Sequence, residues 1–305
     1  MKILNLPKFD DIRVSTKTFT ANSNITIDIH QLFDIISVVP YEVQPKKRGR
    51  KKKGDVKIEQ STVPYGSIVT VKCEGKMKGV ELKPKSKKNE NKTSWFRNAV
   101  TVVIILDKPI NFKVCKNGTF QMTGCTNDVH PEMCIKTIWN LIKEHTSAYC
   151  FTRSPGSFDV LVVPSMRNID FDLGFNVDRD KLSRYLNNED TNLHCLLETS
   201  FGYTGVNIKI PLQNTRDNME VQKIKCIDGV WNMSITNYLE YLSILDEKNR
   251  IKKINETRYN TFLVFHSGKV IFSGLTADFM RDTYYSFTSI IQEAIDIIEE
   301  KLEKK

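Results

Sequence analysis

The sequence predicts an α+β protein made of two tandem, pseudo-symmetric repeats, and three observations carry that expectation. First, residues 114–125 resemble residues 264–275 at a constant offset of 150. Each copy reads as a strand, a tight turn at Asn117-Gly118 or Ser267-Gly268, and a second strand ending in Thr123-Gly124 or Ser273-Gly274. Asn-Gly between strand-like residues is a strong hairpin signal, because a two-residue turn needs φ > 0 where Asn and Gly tolerate it. Second, a helix follows each hairpin. Pro131 suits a first helical position, and Ile135, Ile138, Trp139 and Ile142 recur at helical spacing. In the other copy Thr276 suits an N-cap, and Phe279, Met280, Tyr284, Phe287, Ile290, Ile291, Ala294 and Ile297 form one apolar stripe. Third, upstream, Ile12–Phe19 precedes a short helix near 28–36, as Asn168–Phe175 precedes one near 178–186. The expected domains are 1–150, with insertions near 41–62 and 75–96, and 151–305, with an insertion near 213–258.

The composition supports a folded chain. Of 305 residues 40 % are hydrophobic, enough for a core, so the excess of 45 Lys+Arg over 36 Asp+Glu (net +9) does not make a disordered polycation. The apolar run from Ala99 to Leu106 is far short of the ~20 residues that span a bilayer, and the first residues open no signal-peptide pattern. Membrane and secreted classes are therefore not expected. Seven scattered cysteines without a C-x-x-C pair argue for reduced thiols in an intracellular protein.

The positive charge is concentrated. Lys46, Lys47, Arg48, Arg50, Lys51, Lys52 and Lys53 place seven cations in eight consecutive positions, and a second basic stretch follows at 83–92. No core absorbs such a run. It reads as a solvated loop, a nuclear-import signal, or a sequence-independent DNA arm. Phosphate contact by part of it would raise affinity and steepen salt dependence while adding little sequence information.

Signs of catalysis are thin. His130 and Cys134 lie four apart on a predicted helix and His194-Cys195 are adjacent, but no second pair stands at zinc-ligand spacing, and a core histidine explains the first as well. Asp170 and Asp172 alternate along a strand and so share one face, as a metal nuclease's carboxylates would; no third acid is identifiable, and a solvated strand edge explains them too. Neither a P-loop, a Gly-rich nucleotide loop nor a Ser-His-Asp pattern is present. No cofactor is expected.

The order of strand, short helix, antiparallel strands and long closing helix, taken twice, resembles the TATA-binding protein family. The local matches are Leu263 to Gly274, Met166-Arg167-Asn168-Ile169, Glu198-Thr199-Ser200-Phe201-Gly202 and Gly118 to Gly124. Among members, the Asn-, Ile- and Lys-rich style with large insertions is most similar to the divergent TATA-binding-protein-like factors of large DNA viruses. The resemblance implies one curved antiparallel sheet, a saddle, with helices on its convex face and DNA in the minor groove of its concave face.

By the same resemblance, wedge phenylalanines fall on Phe201 and Phe265, the central amide on Asn168, and the small hydroxyls on Ser273 and Thr123. Apolar base contacts fall on Ile271 and Leu263, and a phosphate-contacting lysine on Lys269. In the first repeat the central amide's place falls near Asp11, the lysine's on Thr119 and one wedge on Cys115. The other wedge falls on Tyr65, or on Trp95 or Phe96 if Ala99–Leu106 is the matching strand; Tyr65 is preferred because Pro64-Tyr65-Gly66 mirrors Ser200-Phe201-Gly202.

The function implied is a non-enzymatic transcription initiation factor, monomeric on A/T-rich promoter DNA, whose partners are a transcription-factor-IIB-like protein and a multisubunit RNA polymerase. The place implied is a cytoplasmic viral factory or the virion for a viral chain, and otherwise the nucleus. Two rivals stand beside it: an assembly scaffold with little specific DNA binding, and a metal-dependent nucleic-acid-processing enzyme centred on Asp170 and Asp172.

Overall fold

The computed structural model describes residues 4–42, 63–82, 96–188, 194–197, 205–212 and 216–300, with 188 and 194–197 as backbone only. Along the chain run β1 (Val14–Ser23), β2 (Ile25–Ile27), α1 (Ile29–Ile35), β3 (Ser67–Cys73), β4 (Lys76–Gly79), β5 (Ala99–Ile105), β6 (Pro109–Cys115), β7 (Thr119–Cys125), α2 (Val129–Ile142) and β8 (Tyr149–Phe151). Then follow β9 (Ser157–Asp172), α3 (Arg179–Asn188), β10 (His194–Leu197), β11 (Gly205–Pro211), β12 (Glu220–Ile227), β13 (Val230–Asn237), α4 (Tyr238–Ser243), α5 (Glu247–Ile254), β14 (Tyr259–Phe265), β15 (Lys269–Gly274) and α6 (Ala277–Ile298). The fold is α+β and antiparallel in the strand pairs that position the candidate site.

The chain forms two compact units, which do not coincide with residues 1–150 and 151–305. The amino unit holds Phe19–Val162 with Gln222–Ser234; the carboxy unit holds Met1–Thr18, Val163–Val221 and Ile235–Lys305. The reason lies in two long strands. β1 and the sixteen-residue β9 each give one end to one unit and the other end to the other, and β12, out of the expected insertion near 213–258, pairs with residues 157–162 of β9 in the amino unit.

Within the amino unit the strands run β7-β6-β5-β3-β4. Their alternation sends Phe112, Val114, Phe120 and Met122 into a core with Ile135, Ile138, Trp139 and Ile142 of α2. Within the carboxy unit the order is β9-β15-β14-β11-β10, and Phe262, Val264, Val270 and Phe272 meet Met280, Tyr284, Phe287 and Ile291 of α6. There the ring of Phe262 stacks between Phe272 at 4.0 Å and Phe287 at 3.9 Å. Each such buried ring contributes roughly 1.5–3 kcal/mol of transfer free energy. Helices thus cover one face of each set of strands and leave the alternate residues of the other face open.

The same contacts recur in both units at an offset of 150. Ser23 N donates to Gly118 O as Leu173 N does to Gly268 O; Ile27 N donates to Lys116 O as Val177 N does to His266 O; Asp28 N donates to Ala148 O as Asp178 N does to Ile298 O. Asp28 then caps α1, accepting from the amides of His30 and Gln31, and Asp178 accepts from the Lys181 amide at the start of α3. Those backbone bonds, that to Gln31 foremost in one and to Lys181 in the other, hold both carboxyls below their ordinary range. The offset lapses for β3 and β5 against β10 and β11, because extra chain precedes β3 and β5 in one unit and follows β11 in the other.

Candidate nucleic-acid interface

The open face of the carboxy unit follows from register. Lys209 stands opposite Thr261, Thr261 opposite Ser273, and Ser273 opposite Asn168, forming one row across four strands. The next row is Asn207, Leu263, Ile271 and Asp170; beyond it Gly205 faces Phe265, and Lys269 faces Asp172. The sequence therefore brings Asn168 beside Ser273 and Leu263 beside Ile271, with Phe265 ending β14 at the Ser267-Gly268 turn and Lys269 opening β15. A side chain at Gly205 would meet Leu263 Cδ1 at 2.8 Å, so glycine there makes room for the leucine.

The row carries both hydrogen-bonding polarities. Thr261 and Ser273 are half-buried hydroxyls, able to donate and accept. Asn168 Oδ1 and Asn207 Oδ1 are buried without a partner within the described chain. Asn168 is pinned by its backbone, whose carbonyl accepts from Ser15 Oγ of β1 at 3.1 Å.

Two acids share this face, as their spacing with Asn168 requires. Asp172 Oδ1 accepts from Gly174 N at 2.9 Å and stands across from Lys269, so its carboxylate serves the turn and offsets a cation. Asp170 is exposed opposite Ile271, and the two acids help line an open groove with Phe265, His266, Ser267, Lys269 and Ile271. Among the described residues no three His, Cys, Asp or Glu converge as a metal site.

The corresponding face of the amino unit is more polar. Thr123 faces Asn111, and the row beside them reads Lys72, Thr101, Lys113 and Gln121. Cys115, opposite Ala99, takes the place that Phe265 takes opposite Gly205. Burial pushes its thiol up, so it stays a neutral group.

Two positions move relative to the sequence reading. The 150-residue offset carries Asn168 onto Thr18, not onto Asp11, which sits exposed in a short turn of 3-10 helix at Phe9–Asp11. Local similarity around Ile12 contained no marker of register. Tyr65 is 59 % exposed before β3, but β3 lies outside β5 as β10 lies outside β11. The chain that leads into β11, where Phe201 stands, therefore corresponds to the chain leading into β5, where Phe96 stands. Phe96 is 58 % exposed, with Lys113 Nζ 3.3 Å from its ring centre, a cation–π contact. Phe201, Trp95, Lys46, Lys47, Arg48, Arg50, Lys51, Lys52 and Lys53 lie outside the described residues.

The register also adds Thr261, Asn207 and Lys209, which motif matching passed over. Their signal was the period-two alternation of β11 and β14, usable only once Leu263 was aligned with Asn207. His130 and Cys134, by contrast, face the core. His130 is 2 % exposed; its Nδ1 accepts from Thr126 N and its Nε2 donates to Asp107 Oδ1 at 2.7 Å, so both ring nitrogens are engaged. Burial keeps the imidazole below its ordinary pKa despite that carboxylate, and pushes the Cys134 thiol well up.

No family model matches the chain. It is 27 % identical over 300 residues to uncharacterized protein 335L of Invertebrate iridescent virus 6, spanning 93 % of this chain and 85 % of that protein. It is 33 % identical over 156 residues to a TATA-box-binding protein-like protein of Acanthamoeba polyphaga mimivirus, spanning 43 % of this chain and 40 % of that relative. Among solved structures, Methanococcus jannaschii TBP aligns with 94 % of this chain and 99 % of its own, at 12 % identity and a TM-score of 0.43. The chain is related to TATA-box-binding-protein-like proteins and has viral relatives.

Proposed function

We propose that the chain is a non-enzymatic transcription initiation factor that binds A/T-rich duplex DNA through the minor groove, using the open face of the carboxy unit. The observation that carries this is the aligned row of Thr261, Ser273 and Asn168 beside Leu263 and Ile271, ending at Phe265. An A·T minor groove presents only acceptors, which hydroxyls and an amide NH2 can satisfy, whereas G·C adds a donor that crowds them. Leu263 and Ile271 supply apolar surface against the groove, and Phe265 a ring able to enter a base step. Unstacking costs about a few kcal/mol per step and is offset when the bend brings more protein onto DNA.

The units differ in chemistry and therefore in role. A thiol at Cys115 and a hydroxyl at Thr119 replace the ring of Phe265 and the ammonium of Lys269, so the full pair of wedge rings belongs to the carboxy unit, and the amino face contributes polar contacts through Thr123 and Gln121 with Phe96 as its single ring. Lys269 and the run Lys46 to Lys53 neutralise phosphate. The partners proposed are a transcription-factor-IIB-like protein and a multisubunit RNA polymerase, with the chain monomeric on DNA in a viral factory, virion or nucleus. The polar amino face is the observation that favours the second reading, a scaffold with little specific DNA affinity.

Fluorescence anisotropy with A/T-rich and G/C-rich duplexes across a salt series decides between the two. Selective A/T binding, lost in Phe201→Ala/Phe265→Ala, is the expected result. Equal and steeply salt-dependent binding to both duplexes, untouched by the substitutions, would leave only the scaffold.

A further inference from the structure

The expected insertion near 213–258 holds a helix mounted with its apolar side outward. α5 has no buried residue; Ile251 is 50 % and Ile254 59 % exposed, three apart and therefore on one face. Helical spacing sets Lys248 and Arg250 on the flanks of that face, while Lys253 lies on the opposite side. An ordinary surface helix turns its apolar stripe to the core.

What holds α5 is polar. Glu256 Oε2 receives Arg258 Nη2 at 3.1 Å, Lys253 Nζ at 3.3 Å and Arg216 Nη1 at 3.5 Å. Arg216 also donates to the carbonyl of Lys253 and lies over the Tyr238 ring, whose residue is buried on α4 with Tyr241 and Leu242. Asp246 caps the helix by accepting from Asn249 N at 3.0 Å. The anchoring described is thus built around a carboxylate shared by three cations, and both isoleucines stay half exposed or more.

The insertion is rooted where Pro211 pairs with Tyr259, at the opposite end of β11 and β14 from Gly205 and Phe265. Six residues of strand separate the ends, about 20 Å. A phosphate backbone gains nothing from two exposed isoleucines. We infer that α5 is a docking helix for a protein partner, its Ile251/Ile254 stripe entering an apolar groove rimmed by carboxylates that meet Lys248 and Arg250. This is the geometry of helix-in-groove recognition, where residues three or four apart anchor the helix and flanking charges fix partner and orientation. The inference does not depend on DNA binding by the open face.

The test uses the full chain in the cells where it is naturally made, with the photo-crosslinker p-benzoylphenylalanine at position 254 and, as reference, at exposed Thr257. The expected adduct at 254 is a protein segment with Asp or Glu clustered around apolar residues. Its yield should be at least about fivefold above that at 257 and fall about tenfold with Lys248→Glu/Arg250→Glu. Adducts with DNA, with a second copy of the chain or with a segment lacking acidic residues overturn the inference, as does a yield at 254 no greater than at 257. Duplex binding measured on the same variants should stay at the wild-type level, so the two proposals fail separately.

Discussion

Gly118 and Gly268 occupy equivalent turns, each pressed against the carbonyl of a residue that is itself repeated 150 positions on. A Cβ on Gly118 would stand 2.0 Å from Ile25 O, and one on Gly268 2.2 Å from Phe175 O. Both glycines have positive φ, 74° and 80°. The obstacle in each case is backbone that already belongs to the adjoining chain, so no rotamer change relieves it.

Gly118→Ala and Gly268→Ala should each destabilise the protein by about 3 kcal/mol or more, through strain at positive φ and a backbone clash together. Gly124, with φ 78° but open space around it, provides the contrast. Gly124→Ala should cost about 1 kcal/mol, the conformational term alone. Urea midpoints for the three variants measure the difference.

Stability and recognition should separate between the covered face of β14, where Phe287 of α6 packs, and its open face. Phe287→Ala removes a fully buried ring from the stack with Phe262 and should cost about 3–5 kcal/mol. Phe265→Ala removes a half-buried ring on the open face and should lower the thermal midpoint much less than Phe287→Ala does, while weakening A/T duplex binding. Thermal unfolding and anisotropy on both variants check the pairing.

Removing residues 46–53 should flatten the salt dependence of duplex binding. Each phosphate that is no longer neutralised lowers the slope of log affinity against log salt by about 0.9, so a run using three or four of its seven cations shifts the slope by about 3. The ratio of A/T to G/C affinity should persist, since phosphate contacts position the protein and base contacts specify the site. Titrations at four salt concentrations give both quantities.

His130 gives the fold a pH dependence of known sign. Its folded pKa is depressed by burial, so the stability it contributes is present above its ordinary value near 6.5 and is lost as pH falls through the folded value. Between pH 7 and 5 the urea midpoint of the wild type should therefore drop more than that of His130→Gln, which keeps a donor and an acceptor but does not titrate. Below about pH 4 both proteins should weaken further, as Asp28 and Asp178 are protonated and release their helix caps.

Much of the fold was legible because its signals are local. Asn117-Gly118 and Ser267-Gly268 marked the hairpins, and the 3.6-residue stripes of 135–142 and 279–297 marked the closing helices. What resisted depended on distant pairing. Tyr65 and Phe96 both precede apolar strands, and only the pairing of β5 with both β3 and β6 shows which strand corresponds to β11. Asp11 was matched to Asn168 by nearby similarity, whereas the bond from Ser23 N to Gly118 O fixes the register and selects Thr18. Strands β1 and β9 are shared between units; no turn residue marks the crossing in β1, and Pro164, beside the crossing in β9, lies inside a continuous strand instead of ending it. The inverted mounting of α5 was equally hidden, since its sequence looks like an ordinary amphipathic helix until the Arg216, Glu256 and Arg258 network shows which side faces inward.

The central claim, minor-groove reading of A·T pairs, is tested most directly by replacing every A·T pair of a bound duplex with inosine·cytosine. That pair presents A·T-like acceptors in the minor groove without the guanine N2 donor, and a G·C-like pattern in the major groove. Anisotropy affinity for the inosine duplex should stay within about threefold of that for the A/T duplex, because each wrong base contact would otherwise cost about 1–3 kcal/mol. Affinity that falls to the level of the G/C duplex would contradict the claim.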